Sequence, residues 1–372
     1  MRLLQTLPAQ DGFTMPAEFE PHSGTVMVWP VRPGSWRKNA APAREVFARI
    51  ARIIAQGEKV YMLANAADFG QVTELFGADA NIRVLEIETN DAWARDIGPT
   101  FVRRGGVCRG ISWSFNAWGG EYDGLYQDYI FDDMAAERLC EELGMECYDA
   151  YPFVMEGGAV HTDGEGTLLV TESCLLSPGR NPSLSKEEIE KQLRDYLGAD
   201  KVIWLPEGIY QDETNGHIDN MCAFTRPGQV VLAWSEDETD PQWELSQRAL
   251  AVLEKEKDAK GRSLEVKKLP IPKHPVCITG EELTGMSFAP GEAVRSPGER
   301  LAASYVNYYV CNCGILVPVF GDEMDEAAIA ILKECFPDRE IYPIEALEIL
   351  LGGGNIHCIT QQIPAARIRG QK

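Results

Sequence analysis

The sequence predicts an α/β protein built from about five copies of one unit, arranged as a propeller or closed array. Two observations carry this. Five segments with helical apolar spacing are each followed by a short strand-like run. Five polar heads, spread along the same chain, each lead into a further apolar run. The cycle of helix, strand, head and strand recurs irregularly, at roughly 50 to 90 residues, a period typical of units that bury their faces against their neighbours. A two-domain α/β protein would give a similar alternation, because the repeats match in pattern and hardly in residue identity.

The helices are placed by their apolar faces and stop signals. Residues 43–56 carry Val46, Phe47, Ile50, Ile53 and Ile54 on one face and end at Gly57. Residues 128–143 carry Ala135, Leu139 and Leu143 before Gly144. Ser185 and Glu188 form a capping box for a helix reaching Leu197, with Gly198 as its stop. Asp240 and Pro241 read as N-cap and first-turn proline of a helix extending to about Lys257. Residues 325–336 carry Ala328, Ile329, Leu332 and Phe336, and Pro337 terminates them. The strand-like runs that follow are 59–63, 146–148, 201–205, 264–266 and 340–342.

The heads are Trp93-Ala94-Arg95-Asp96, Met155-Glu156-Gly157-Gly158, Gly216-His217-Ile218-Asp219-Asn220, Val306-Asn307 and Gly352-Gly353-Gly354-Asn355-Ile356-His357-Cys358. In a closed array equivalent strands converge, so residues near 96, 156, 217 and 358 are expected in one pocket. One insertion, 270–303, breaks the rhythm. It is rich in proline and glycine and is expected to act as a lid near that pocket, or else as a surface excursion padding a subunit interface.

Composition narrows the function. The chain has 372 residues, more than the usual single domain, so either two domains or one large repetitive domain (1–372) is expected. A hydrophobic content of 45% with 25% charged residues fits a globular protein. No apolar run approaches a membrane span, and the start, Met1 to Pro8, is too short and interrupted for a secretory signal. A formal net charge of −22 argues against nucleic acid or an anionic membrane surface and leans toward a small cation as partner. Ten scattered cysteines without a CxxC pair predict reduced thiols in a cytoplasm and no structural metal. Cys311 and Cys313 are expected to face the same side and pack.

Together the heads offer a thiol (Cys358), an imidazole (His217) and three carboxylates (Asp96, Glu156, Asp219). Thiol and imidazole alone would suit a cysteine protease. Several carboxylates buried together raise one another's pKa and are costly, unless a planar cation such as guanidinium accepts their paired hydrogen bonds. The set therefore fits nucleophilic attack on a guanidinium carbon. Each member has an ordinary alternative. His217 could be a turn histidine, Asp96 after Arg95 a surface ion pair, Asp219-Asn220 a turn, Glu156-Gly157-Gly158 a loop and Trp93 plain core. Their shared position in the repeat is what sets them apart. Of the two histidines, His357 would point away from Cys358 on a strand, which leaves His217 as the base.

Asn90-Asp91-Ala92-Trp93-Ala94-Arg95-Asp96-Ile97-Gly98-Pro99, Phe115-Asn116-Ala117-Trp118-Gly119-Gly120, Glu156-Gly157-Gly158, Asn215-Gly216-His217-Ile218-Asp219-Asn220 and the Gly352 to Cys358 tip resemble, in order, the motifs of the agmatine deiminase family. The resemblance runs from Met15-Pro16-Ala17-Glu18-Phe19-Glu20 to Gln361-Gln362-Ile363-Pro364. Bacterial peptidyl-arginine deiminase is also similar, although it carries extra segments. The resemblance implies a five-bladed α/β propeller (the pentein fold), no metal or organic cofactor, and a homo-oligomer. It implies hydrolysis of agmatine to N-carbamoylputrescine and ammonia. Carried over, Cys358 is the nucleophile that forms an amidino-thioether, and His217 protonates the leaving ammonia and then activates water. Asp96 and Asp219 hold the guanidinium nitrogens, and Glu156 and Trp93 help line the pocket. Arginine or peptidyl arginine as substrate, and a non-catalytic binding module, remain the alternatives.

Overall fold

The computed structural model describes residues 3–366, so Met1, Arg2 and residues 367–372 lie outside the described residues. The chain folds into five small sheets, four of them built by the same walk. A first strand turns back into an antiparallel second strand, a helix follows, and the chain returns as a third strand parallel to the second. In the fourth unit these are Cys222–Arg226, Gln229–Trp234, helix Pro241–Leu253 and Glu265–Pro270. In the fifth they are Tyr309–Cys311, Gly314–Val319, helix Asp325–Cys335 and Glu340–Glu345. The helix is needed because parallel neighbours cannot be joined by a tight turn.

The remaining sheet pairs a strand near the C-terminal end with one from the first part of the chain. Its first strand is Gln361–Pro364, which pairs antiparallel with His22–Val28; Lys59–Ala64 and Ile82–Glu86 then extend it in parallel. The first strands of the other units are Thr100–Arg104 and His161–Thr162. All five are preceded by a tight turn, and those turns are the polar heads.

The five expected helices are present, as Ala41–Ile54, Ile130–Glu142, Lys186–Leu197, Pro241–Leu253 and Asp325–Cys335. The capping box at Ser185 and Glu188 forms, and Gly198 adopts the left-handed conformation that ends that helix. The expected repeat lacked one strand, however. Two of the second strands, Thr167–Thr171 and Gln229–Trp234, are buried at every position and so show no alternation. Helix Ala66–Leu75 and strands Ile82–Glu86 and Leu3–Leu4 were also not anticipated. Among the described residues, no helix is long and apolar enough to cross a membrane. All ten cysteines are free. The sulfurs of Cys311 and Cys313 do meet, at 3.2 Å, but across a hairpin turn rather than along a strand.

The core is held by units clasping their neighbours. Phe47 on helix Ala41–Ile54 is fully buried and meets Trp36 edge-on at 5.4 Å. Trp36 in turn stacks at 5.0 Å on Trp93, which belongs to the next unit's head. Truncating Phe47 to alanine should lower unfolding free energy by about 3–5 kcal/mol. Ser185→Ala, which removes only a cap, should cost about 1 kcal/mol. Urea titration of both variants checks the contrast.

Candidate active site

Each functional side chain sits on the turn just ahead of a first strand. Asp96 lies on the short helix Ala94–Ile97, Glu156 precedes the turn Gly157–Ala159, and His217 precedes the turn Ile218–Asn220 that carries Asp219. Cys358 lies in the turn before Gln361–Pro364. Such turns crowd polar groups into little backbone, and glycine makes the crowding possible. A Cβ on Gly158 would lie 2.5 Å from His217 Nδ1 and 3.0 Å from both Asp219 and Asp96. A Cβ on Gly354 would lie 2.5 Å from the Trp93 ring and 3.2 Å from Cys358 Sγ.

The heads converge as the repeat pattern predicts. His217 stands between two carboxylates, with Nδ1 3.9 Å from Asp96 Oδ2 and Nε2 3.6 Å from Glu156 Oε2. Cys358 Sγ lies 3.7 Å from Asp219 Oδ2 and accepts from Asn307 Nδ2 at 3.4 Å. Asp96 is fixed on both oxygens, by Trp118 Nε1 and by the backbone N–H of Gly158, each at 2.9 Å. Asp219 Oδ1 is buried and has no hydrogen-bond partner.

Cys358, His217, Asp96 and Trp93 line one cavity. Glu156 and Asp219 are not among its lining residues. Glu156 stands behind His217, completely buried and ion-paired to Arg180 Nε at 2.7 Å, so the lining position expected for it is a supporting one. The far wall includes Asp91, Glu213, Glu292, Arg32 and Arg295. Arg295 binds Glu213 at 2.6 Å, and Arg32 binds Glu292. The insertion 270–303 thus supplies part of the wall, through Phe288, Glu292, Ala293 and Arg295. It is tied down by backbone bonds from Lys38 to Gly285, Ser287 to Pro33 and Ala293 to Leu125.

Burial and charge set the protonation states. Burial pushes the Cys358 thiol well above its ordinary value, and the carboxylates of Asp219 and Asp96 push the same way; the Asn355 backbone and the Asn307 amide oppose them. Burial alone would depress His217, but Asp96, Cys174 and Glu156 outweigh it and hold the imidazolium well above the usual range. Burial raises Asp96 to about 6 despite His217, with Asp219 and Glu156 adding to the rise. For Asp219, burial is outweighed by the His357 hydrogen bond and charge, which keep it low; for Glu156, Arg180 does the same.

Several residues outside the expected set prove integral. Arg95, far from being a surface partner of Asp96, is buried; it donates to Gln362 Oε1 at 2.6 Å and its backbone N–H donates to Cys358 O at 3.1 Å. Asn307 stood at the right place in the repeat, and Trp118 within a recognised motif, yet neither had a chemical role to mark it. Arg180 lies on a loop with no pattern at all. The segment around His357 is a turn, so strand alternation does not separate it from Cys358; it is kept from the cavity instead by contacts to Glu18 and Asp219, each at 2.8 Å. Glu18, His161 and His357 gather closely enough to suggest an ion site. The donor set does not fit one, because Phe224 N–H donates to His161 Nδ1, which leaves the proton on Nε2 facing Glu18.

A profile of the Porphyromonas-type peptidyl-arginine deiminase family matches residues 14–364. A Selenomonas ruminantium protein named "Putative agmatine deiminase" is 56% identical over 98% of this chain and 99% of its own. A Latilactobacillus sakei protein of the same name is 53% identical, over 99% of this chain and 100% of its own. The structure described as agmatine deiminase of Enterococcus faecalis catalyzing its reaction superposes with a TM-score of 0.95 at 44% identity, covering 98% of this chain and 99% of that one. Sequence, fold and the order of the heads agree: the chain belongs to the Porphyromonas-type peptidyl-arginine deiminase family and groups within it with the agmatine deiminases.

Proposed function

We propose that the protein hydrolyses agmatine to N-carbamoylputrescine and ammonia by covalent catalysis at Cys358. The observation that carries this reading is a cysteine sulfur 3.7 Å from a buried carboxylate oxygen, in a cavity where Asp96 supplies a second carboxylate. A neutral electrophile would find that setting hostile, whereas a guanidinium ion completes it.

In this mechanism Asp96 and Asp219 hold the guanidinium nitrogens with the central carbon against Cys358, and Trp93 flanks the substrate. The incoming cation offsets the charge that keeps Cys358 protonated, and the thiol gives its proton to solvent as the substrate docks. The thiolate forms a C–S bond; His217, resting as imidazolium, protonates one nitrogen, the C–N bond breaks and ammonia departs. Neutral His217 then takes a proton from water, and the resulting hydroxide attacks the amidino-thioether carbon. The C–S bond breaks and returns its electron pair to sulfur, and the hydroxyl proton passes to that sulfur, which forms the urea carbonyl and restores the thiol. Glu156 and Arg180 act behind His217 by holding its ring and its charge.

The substrate preference follows from the wall. Its carboxylates, Asp91, Asp96, Glu213 and Glu292, outnumber its guanidinium groups, Arg32 and Arg295, both of which are already paired. That balance suits the second positive charge of agmatine and disfavours the carboxylate of free arginine. The same reading takes the five sheets as the blades of one propeller spanning 1–372, the insertion 270–303 as the lid of its pocket, and the protein as a cytoplasmic homo-oligomer acting on a small cation.

Ammonia release measured side by side with agmatine, arginine and an arginyl peptide tests the assignment. Turnover should be confined largely to agmatine, and preference for either other substrate would overturn it. Cys358→Ser should abolish turnover while agmatine still binds by calorimetry, and His217→Ala should cost roughly 10²–10⁴-fold in kcat. Asp96 must be ionised to bind guanidinium, so kcat/KM should fall as pH drops through about 6, the value at which this carboxyl gains its proton. The resting enzyme should show no thiolate absorbance from Cys358 at neutral pH, and a thiolate titrating below neutrality would rule out substrate-assisted ionisation.

A further inference from the structure

Behind the cavity lies a second group of buried ionisable side chains that the mechanism above does not use. His357 is 3% exposed, and both ring nitrogens meet carboxylates at 2.8 Å: Nδ1 faces Asp219 Oδ2 and Nε2 faces Glu18 Oε2. A neutral imidazole has one N–H and one bare nitrogen, and a bare nitrogen against a carboxylate is repulsive. Two such contacts on one ring therefore call for a proton on each nitrogen. Other charges facing the ring fit this state. Arg95 lies 3.7 Å from Glu18 Oε2 and satisfies part of its charge. His161, at 6.3 Å between ring centres, is pushed down to about 4 chiefly by burial and so adds no positive charge at neutral pH. Glu18, Asp219 and Arg95 are thus the ionised groups around the ring. Burial and Arg95 push His357 down, but Glu18 and Asp219 prevail and raise it.

We infer that His357 is a positioning residue: as an imidazolium clamped by Glu18, it binds Asp219 Oδ2 and thereby orients the unpartnered Oδ1 for the substrate. The Asp219 carboxylate has one oxygen secured and one buried oxygen free, an arrangement suited to receive a guanidinium N–H. The backbone gives the ring little freedom, since His357 N–H donates to Asn307 Oδ1 at 2.9 Å. Asn307 also donates to Cys358, so one amide registers the clamp with the nucleophile.

The role in catalysis rests on the proposed deiminase reading, so two kinds of measurement separate the claims. Histidine labelled with ¹⁵N reports ring protonation in the resting protein without any substrate, and the chain has only five histidines to assign. His357 should show two protonated nitrogens at neutral pH; a single neutral tautomer would overturn the clamp. Glu18→Gln should make that signal give way at lower pH than in the wild type, and an unshifted signal would equally overturn it. With agmatine, His357→Gln removes the positive charge held between the two carboxylates, and burial then pushes Asp219 upward. KM should rise about 10- to 100-fold, more than kcat falls, and the acid limb of kcat/KM should move to higher pH. A loss confined to kcat with KM and the limb unmoved would mark a merely structural histidine. If the wild type releases no ammonia from agmatine, the deiminase reading fails, while the labelling result still decides the clamp.

Discussion

The structure depends on a balance of buried charge around one sulfur. Arg95, Glu18, His357 and Asp219 lead to Cys358 from one side, each within reach of the next. Arg180, Glu156, His217 and Asp96 approach from the other. Four cations meet four anions, so the buried set is neutral only while Cys358 keeps its proton. A buried carboxylate lacking its partner would cost several kcal/mol, which is why each is paired on at least one side. Adding a guanidinium upsets the balance by one positive charge, and ionising the thiol restores it. In the proposed mechanism, substrate binding and nucleophile activation are thereby the same electrostatic event.

The repeated unit exists to deliver those charges. A first strand must begin near the others, and its polar turn is the only part free of the sheet's hydrogen bonding. Each unit therefore contributes chemistry through a few residues, and the rest of the unit anchors them. Cross-unit contacts hold the turns in register: Arg95 on one head bonds the backbone and Gln362 of another, and Asn307 bonds both His357 and Cys358. The glycines matter at two close approaches. Gly158 lets His217, Asp96 and Asp219 share one small volume, and Gly354 lets Trp93 and Cys358 face each other. Side chains there would collide with the groups that need to meet.

Much of this was legible in the sequence, for reasons that also mark where it stops. Amphipathic helices announce themselves by period and caps, so all five were placed to within a few residues, and Ser185 with Glu188 even fixed one terminus. The fully buried second strands were missed because burial on both faces erases alternation, as in Gln229–Trp234. Asp96, His217 and Cys358 were singled out through their equivalent positions in the repeat, and the structure brings them to one cavity. Arg95 was given no role, because its partner Glu18 lies far away in sequence and successive residues on a tight turn point to different neighbours. His357 was set aside on strand geometry that the turn does not have. Supporting pairs such as Glu156 with Arg180 have no local signature, since their meeting is made only by the tertiary fold.

The insertion raises the question of why a site with enough carboxylates should import more charge. Its two pairs, Arg295 with Glu213 and Arg32 with Glu292, each bring a cation and an anion to the cavity wall, so they leave its net charge unaltered. What they change is exposure. Phe288 and Ala293 close the wall with apolar surface, and the pairs tie that surface to Glu213 and Arg32 outside the insertion. A drier cavity strengthens every interaction within it, and the carboxylates at the sulfur gain most. The wall thus serves the same balance as the buried set behind it: water is held away from charges whose pairing is completed by the guanidinium ion.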